Sequence, residues 1–373
     1  MATDPQAAAG QRTVEALAAK LRRRQVVGSR ESALETALVL RQVVSKARFQ
    51  NINQLVEIIR SVGRKLIEAQ PKEHTVGNTV RRLLHHVREE YDNASKGEAT
   101  TSANEFSIAN FVLQGQPRRQ VAEKEAESTL VLKEDDSDDP DSFSRTLKPV
   151  VMEAIQDILD DLETVYDNIA KSARDHIHSD EIILTVGRSK TVETYLKSAA
   201  HYHKFTIIVA ESGPSYGGHD MARSLSSAGI STFLVPDSSI YALMSRVSKV
   251  ILGAHAILTN GGMFAITGTL LAATAARAHS TPIMVCAGQF KLTPLWNLYH
   301  EYGALDFADP SGVLGFEEGD LVDKVDVVNP YYDFVRPDLV DVYVTNEYAS
   351  GIIPPPSMYR LIKESYDDED NEL

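Results

Sequence analysis

The sequence predicts an α/β protein: an N-terminal helical bundle followed by a Rossmann-like, doubly wound, mostly parallel sheet. Three observations predict it. Apolar residues recur at helical spacing from residue 13 to residue 95. After His178 the pattern becomes short apolar runs of strand length, separated by helical stretches. Between the two halves lies a stretch too acidic, and too poor in apolar residues, to offset the entropy of ordering.

Val14, Leu17 and Leu21, then Ala33, Leu34, Ala37, Leu38 and Val44, mark the first helices. Leu55, Ile58, Ile59 and Val62 share one face of the next, which Pro71 ends. Val76, Val80, Leu83, Leu84 and Val87 mark a helix over 75–91. Short connections imply antiparallel packing, and 107–113 is expected to add a short helix. A long helix follows over 147–173, with Val150, Ile155, Ile158, Leu162, Val165 and Ile169 inward. Strands are then expected at 181–186, 205–210, 230–235, 282–286 and 341–345. The runs 249–252 and 256–258 together read as one further strand. Helices are expected at 190–202, 218–228, 239–247 and 264–279. Apolar strands alternating with helices require a parallel sheet covered on both faces. The expected organisation is 1–115 helical bundle, 116–145 disordered acidic linker, 146–366 α/β domain and 367–373 acidic tail.

Charge divides along the same boundaries. The 373 residues carry a net charge of −14. Residues 123–141 hold nine acids against two lysines, and 364–373 hold six acids and no base. Residues 1–122 sum to +7 and 142–363 to −8. The linker and tail are expected to stay solvated. That leaves the basic head as the surface suited to an acidic or phosphorylated partner. The acidic body opposes direct nucleic-acid binding, and Arg22-Arg23-Arg24 reads as a solvated helix face.

Other classes are excluded by what the chain lacks. One cysteine, Cys286, permits no internal disulfide and no multi-cysteine zinc site. His85 and His86 are adjacent on a helix and point apart, unlike an i, i+4 metal pair, so no metal is expected. No stretch of about 18 uncharged apolar residues exists to span a membrane. The opening residues carry no apolar signal segment. A cytoplasmic location is the expectation.

Three turns at strand ends could carry chemistry, because ligands of open α/β sheets sit at the carboxyl ends of strands. Gly187-Arg188-Ser-Lys follows the first strand, where Arg188 could meet an anion near a helix start. Glu211-Ser-Gly-Pro-Ser-Tyr-Gly-Gly follows the second; the plain alternative is a turn that needs glycine. His255 follows a third strand end, and Asn260-Gly261 suits a turn with positive φ. No Gly-x-Gly-x-x-Gly and no nucleoside-triphosphate loop occurs, so no nucleotide cofactor is implied.

These turns, taken with the end of the chain, resemble a known family. Asn329-Pro330-Tyr-Tyr-Asp333 followed by Pro337 and Leu339 is similar to its pattern Asn-Pro-x-(Phe/Tyr)-Asp with Pro and Leu beyond. Glu211-Ser-x-Pro with Gly217, Ala222, Leu225 and Gly229-Ile230 matches its second strand–helix unit. Gly253-Ala, Asn260-Gly261 and Gly268-Thr269 match its third. The family is that of the alpha, beta and delta regulatory subunits of translation initiation factor 2B and of methylthioribose-1-phosphate isomerase. The resemblance covers about 13–366 apart from the linker. The ending Asn346-Glu-Tyr-Ala-Ser-Gly-Ile-Ile-Pro-Pro-Pro and the acidic insertion resemble its beta branch most closely.

The resemblance implies a non-catalytic regulatory and assembly subunit of the guanine-nucleotide exchange factor for initiation factor 2. Its partners would be the sibling alpha, delta, gamma and epsilon subunits and initiation factor 2, especially the phosphorylated alpha subunit of that factor. Exchange itself would belong to epsilon, and no cofactor is implied. The alternative is a sugar-phosphate aldose–ketose isomerase. Against it, the Thr-x-Cys of the enzymes reads Thr185-Val186-Gly187, and Gly-Ala-Asp reads Gly253-Ala254-His255. Their Asn-Lys before Ile-Gly-Thr reads Ala265-Ile266. Proton transfer needs a donor and an acceptor within reach of the sugar carbons, and Gly187 supplies neither. Gly187, Arg188, Glu211, His255, Asn260 and Gly261 are therefore expected to line a vestigial pocket. Phe264, Thr269, Phe290, Asn329, Pro330 and Asp333 are expected at subunit contacts.

Overall fold

Residues 5–99, 142–296, 307–346, 352–371 and 373 are described by a computed structural model. The expected helix at 107–113 and the linker up to residue 141 lie outside these residues. Helices α1 (Pro5–Arg22), α2 (Ser29–Lys46), α3 (Ile52–Ala69) and α4 (His74–Ala99) form the head. Asn51 starts α3 by accepting a hydrogen bond from the Gln54 amide at 3.0 Å. Leu55, Val56, Ile59, Val62 and Leu66 bury one face of α3, and Val76, Val80, Leu83, Leu84 and Val87 one face of α4. Helix α5 (Ser142–Lys171) begins ahead of the expected start and packs on both α2 and α4. One apolar core runs without a break from Leu21 and Leu40 through Val151 and Leu162 to Ile183, Ile207 and Val344. Head and body therefore share a core.

After the turn α6 (Ala173–His176), strands β1 (Ile182–Val186), β2 (Thr206–Ala210) and β3 (Ser231–Val235) alternate with α7 (Lys190–Ala200) and α8 (Gly217–Ser227). Next come α9 (Ile240–Met244), β4 (Lys249–Gly253), β5 (Ala256–Leu258), β6 (Met263–Ile266) and α10 (Thr269–Ala278). They are followed by β7 (Ile283–Cys286), β8 (Leu292–Thr293), β9 (Tyr332–Val335), β10 (Val342–Val344), β11 (Ile352–Ile353) and α11 (Met358–Ser365). The main sheet has the order β11-β10-β7-β4-β1-β2-β3 and is parallel except for β11. The order in which strands are added reverses at β1, between parallel β1 and β4, and such a switch point is the crevice where these folds place ligands.

Three expectations are corrected. The runs 249–252 and 256–258 are not one strand: β4 lies in the main sheet, while β5 joins a second sheet ordered β8-β5-β6-β9. The break falls at Ala254-His255, where the His255 amide pairs with the Phe264 carbonyl at 2.7 Å. The helix expected over 264–279 starts only at Thr269, because Met263–Ile266 pair antiparallel with Tyr332–Val335. The acidic tail is not solvated throughout: Asp370 is 1% exposed, while Asp368 and Glu369 stay exposed.

Candidate functional site

At the carboxyl end of β1, Gly187 adopts φ +58° and is buried. A Cβ there would lie 3.1 Å from both the Ile266 Cδ1 and the Ser212 Cβ. The space beside the first strand is filled by the chain's own side chains. The Ser212 hydroxyl donates to the Thr267 carbonyl at 3.1 Å. The amides of Ser212 and Gly213 both donate to Asp237, at 2.9 and 2.7 Å. The amides of Gly268 and Leu270, at the start of α10, both donate to Asp333 at 2.9 and 3.0 Å. Burial raises the Asp333 pKa against the pull of these two bonds. Backbone amides of this kind are where an α/β protein would hold a phosphate. Here two internal carboxylates hold them.

Arg188 and Glu211 sit on the rim and turn toward α8. Arg188 lies 3.6 Å from Asp220, and Glu211 3.6 Å from the His219 Nε2. Arg188 opens into a shallow cleft of about 550 Å³ with Lys197, Arg223 and Ser224. Lys197 is already held by Glu193 and Ser224 at 2.6 and 2.7 Å.

His255 faces the helical head. Its Nδ1 is 3.2 Å from the Ser29 hydroxyl, and its Nε2 3.1 Å from the Lys72 carbonyl. The ring stacks on Tyr332 with centroids 4.0 Å apart. Both ring nitrogens and one ring face are engaged. His74 lies 6.1 Å away, stacked on Phe264 at 5.8 Å. Burial, reinforced by His255, Lys72 and Arg81, lowers the His74 pKa to about 3. Nearby, the Lys291 ammonium donates to the Ala254 carbonyl at 2.7 Å, and burial lowers its pKa to about 8. Asn78 donates to the Phe290 carbonyl and to Thr293, each at 3.1 Å. These contacts form a polar seam between head and body.

The structure thus separates residues that the sequence reading groups. Gly187 joins Ser212 and Ile266. His255 joins the seam. Asn260 and Gly261 lie elsewhere, in the β5–β6 hairpin turn. Gly261 there has φ +79°, and a Cβ would meet the Pro355 carbonyl oxygen at 2.5 Å. Its own carbonyl accepts from the Tyr343 hydroxyl at 2.7 Å. Among the expected interface residues, Phe264, Thr269, Phe290 and Asn329 are buried within this chain. Asn329 donates to the Asp309 carbonyl, the Pro330 carbonyl accepts from Thr267, and Asp333 caps α10. The sequence reading overlooks Asp237 and gives no role to Ser212 and Tyr332, which it names only within motifs; only the convergence of strand ends could have pointed to Asp237. Among the described residues no His, Cys, Asp and Glu cluster able to hold a metal ion occurs, and no helix is long and apolar enough to cross a membrane.

A helical head sharing its core with a doubly wound sheet, with the crevice amides held by the chain's own carboxylates, defines an α/β scaffold whose ligand position is filled from within. The chain belongs to the initiation factor 2 subunit family, whose profile matches residues 25–355. It is 39% identical to translation initiation factor eIF2B subunit beta of Schizosaccharomyces pombe, over 96% of this chain and 97% of that one. Its fold is similar to that in the crystal structure of the tetrameric eIF2B-beta2-delta2 complex from C. thermophilum. That likeness has a TM-score of 0.68 and 28% identity, over 96% of this chain and 95% of that one. It is also 27% identical to ribose 1,5-bisphosphate isomerase of Pyrococcus furiosus, over 59% of this chain and 68% of that one.

Proposed function

We propose that the chain is a non-catalytic regulatory and assembly subunit of the guanine-nucleotide exchange factor for translation initiation factor 2. It acts in the cytoplasm beside sibling alpha, delta, gamma and epsilon subunits. It helps to sense the phosphorylated alpha subunit of initiation factor 2 through its basic head. The near full-length likeness to eIF2B subunit beta carries this reading. The crevice supports it: Gly187 offers no proton donor, His255 is turned to the head, and Asp237 and Asp333 occupy the amides.

Sibling contact falls on apolar surface that the chain leaves open. Phe233 and Leu234 are exposed on the edge strand β3, with Leu271 exposed on α10. Phe316 is 79% exposed and Val328 59%. Exposed apolar side chains on a sheet edge are suited to protein–protein contact.

The isomerase reading meets its test in a turnover assay. The purified full chain, given ribose 1,5-bisphosphate or methylthioribose 1-phosphate, is expected to yield no isomer above buffer. Steady turnover that scales with enzyme concentration would overturn the non-catalytic assignment.

A further inference from the structure

The acidic segment after α11 bridges the two halves of the molecule. Met358, Leu361 and Ile362 of α11 sit in the core beneath the sheet, together with Tyr366. The Tyr366 hydroxyl donates to the Leu292 carbonyl at 2.8 Å. The chain then makes one tight turn, Asp368–Asp370, and lands on the head.

There it meets three arginines and a histidine from α3 and α4. Arg60 Nε donates to Asp370 Oδ1 at 2.7 Å. Arg88 donates to Asp370 Oδ2 at 2.6 Å, and also to Asp367. His85 Nδ1 is 2.9 Å from Asp367 Oδ1. Arg81, itself buried, donates to the Asp370 carbonyl at 2.9 Å and to the Leu373 carbonyl at 3.1 Å. The Leu373 side chain packs against the head's core, close to Gly63 and Val80. Glu369 is 3.6 Å from Arg60 and 3.8 Å from Arg88 but stays largely in water.

We infer that Asp367–Leu373 is an electrostatic strap that holds the α3–α4 edge of the head in place and whose release loosens that edge. Charge-assisted bonds to buried partners are strong while complete and costly when one partner goes. Asp370 has no solvent to turn to, whereas Asp367 and Arg88 are reached by water and ions. Local opening is therefore expected to start at Asp367, and to spread along α3 and α4 rather than through the sheet.

Hydrogen exchange on the full chain tests this, comparing it with Asp370→Asn, with Asp367→Asn and with a chain ended at Tyr366. The expected result is exchange at least about tenfold faster in 55–69 and 76–91, with the amides of β1, β2 and β4 unchanged. The isolated peptide 364–373, added to the shortened chain, is expected to restore protection in a salt-sensitive way. Unchanged exchange in α3 and α4 would overturn the strap. So would an equal rise everywhere, which marks a loss of global stability only.

Discussion

Lowering the pH from 7 to 5 is expected to weaken the fold by about 1 kcal/mol through His74, before most carboxylates begin to titrate. The sign follows from the direction of the shift. An unfolded histidine takes a proton near pH 6.5, whereas folded His74 resists until about pH 3. The unfolded chain therefore binds more protons throughout that window. Stability is intact above pH 6.5 and falls as the pH drops toward 3. The cause is the seam: His74 is stacked on Phe264 and has His255, Lys72 and Arg81 as neighbours. Part of the ring remains solvent-accessible, which keeps the expected loss below the full linkage value. Urea unfolding at pH 7, 6 and 5 measures it. In His74→Phe the slope is expected to shrink, leaving the part due to His86 and His176, whose pKa values burial also lowers. An unchanged slope would remove His74 from the account of the seam.

Gly187→Cys, which restores the residue type of the isomerase motif, is expected to yield no turnover and to cost about 2 kcal/mol of stability. Gly187 has φ +58°, a left-handed conformation that costs a side-chain-bearing residue about 1–2 kcal/mol. The new Cβ would also press on Ile266 and Ser212 at 3.1 Å, and overpacking adds about 1 kcal/mol or more. Catalysis would still lack its second group, because both ring nitrogens of His255 are engaged by Ser29 and Lys72. Urea unfolding gives the stability and a coupled assay the turnover. Isomerisation by this single variant would mean that the crevice still admits and orients a sugar phosphate.

The main sheet was readable because each of its strands before β10 is an apolar run of four or five residues closed by a turn. The second sheet was not. Its strands are two to four residues long, and two of them adjoin other elements without a composition break. β5 follows β4 across Ala254-His255, and β6 runs into α10 across Thr267-Gly268, so periodicity merges each pair. The tail misled for another reason. Six acids without a base predict solvation, and the arginines that pair with Asp367 and Asp370 lie about 280 to 310 positions earlier. At the crevice, Gly187 was legible because strand ends collect ligands in this fold. Asp237 was not, and Asp333 was legible only as a motif residue expected at a subunit contact, since each reaches its amides across 24 to 65 positions of sequence.

Native mass spectrometry of a tagged copy recovered from its own cells tests the proposed role most directly. The expected result is a hetero-oligomer containing a delta-type sibling, with no substantial free monomer. A chain recovered alone, as monomer or homo-oligomer, with no sibling subunit at any salt concentration, would contradict it.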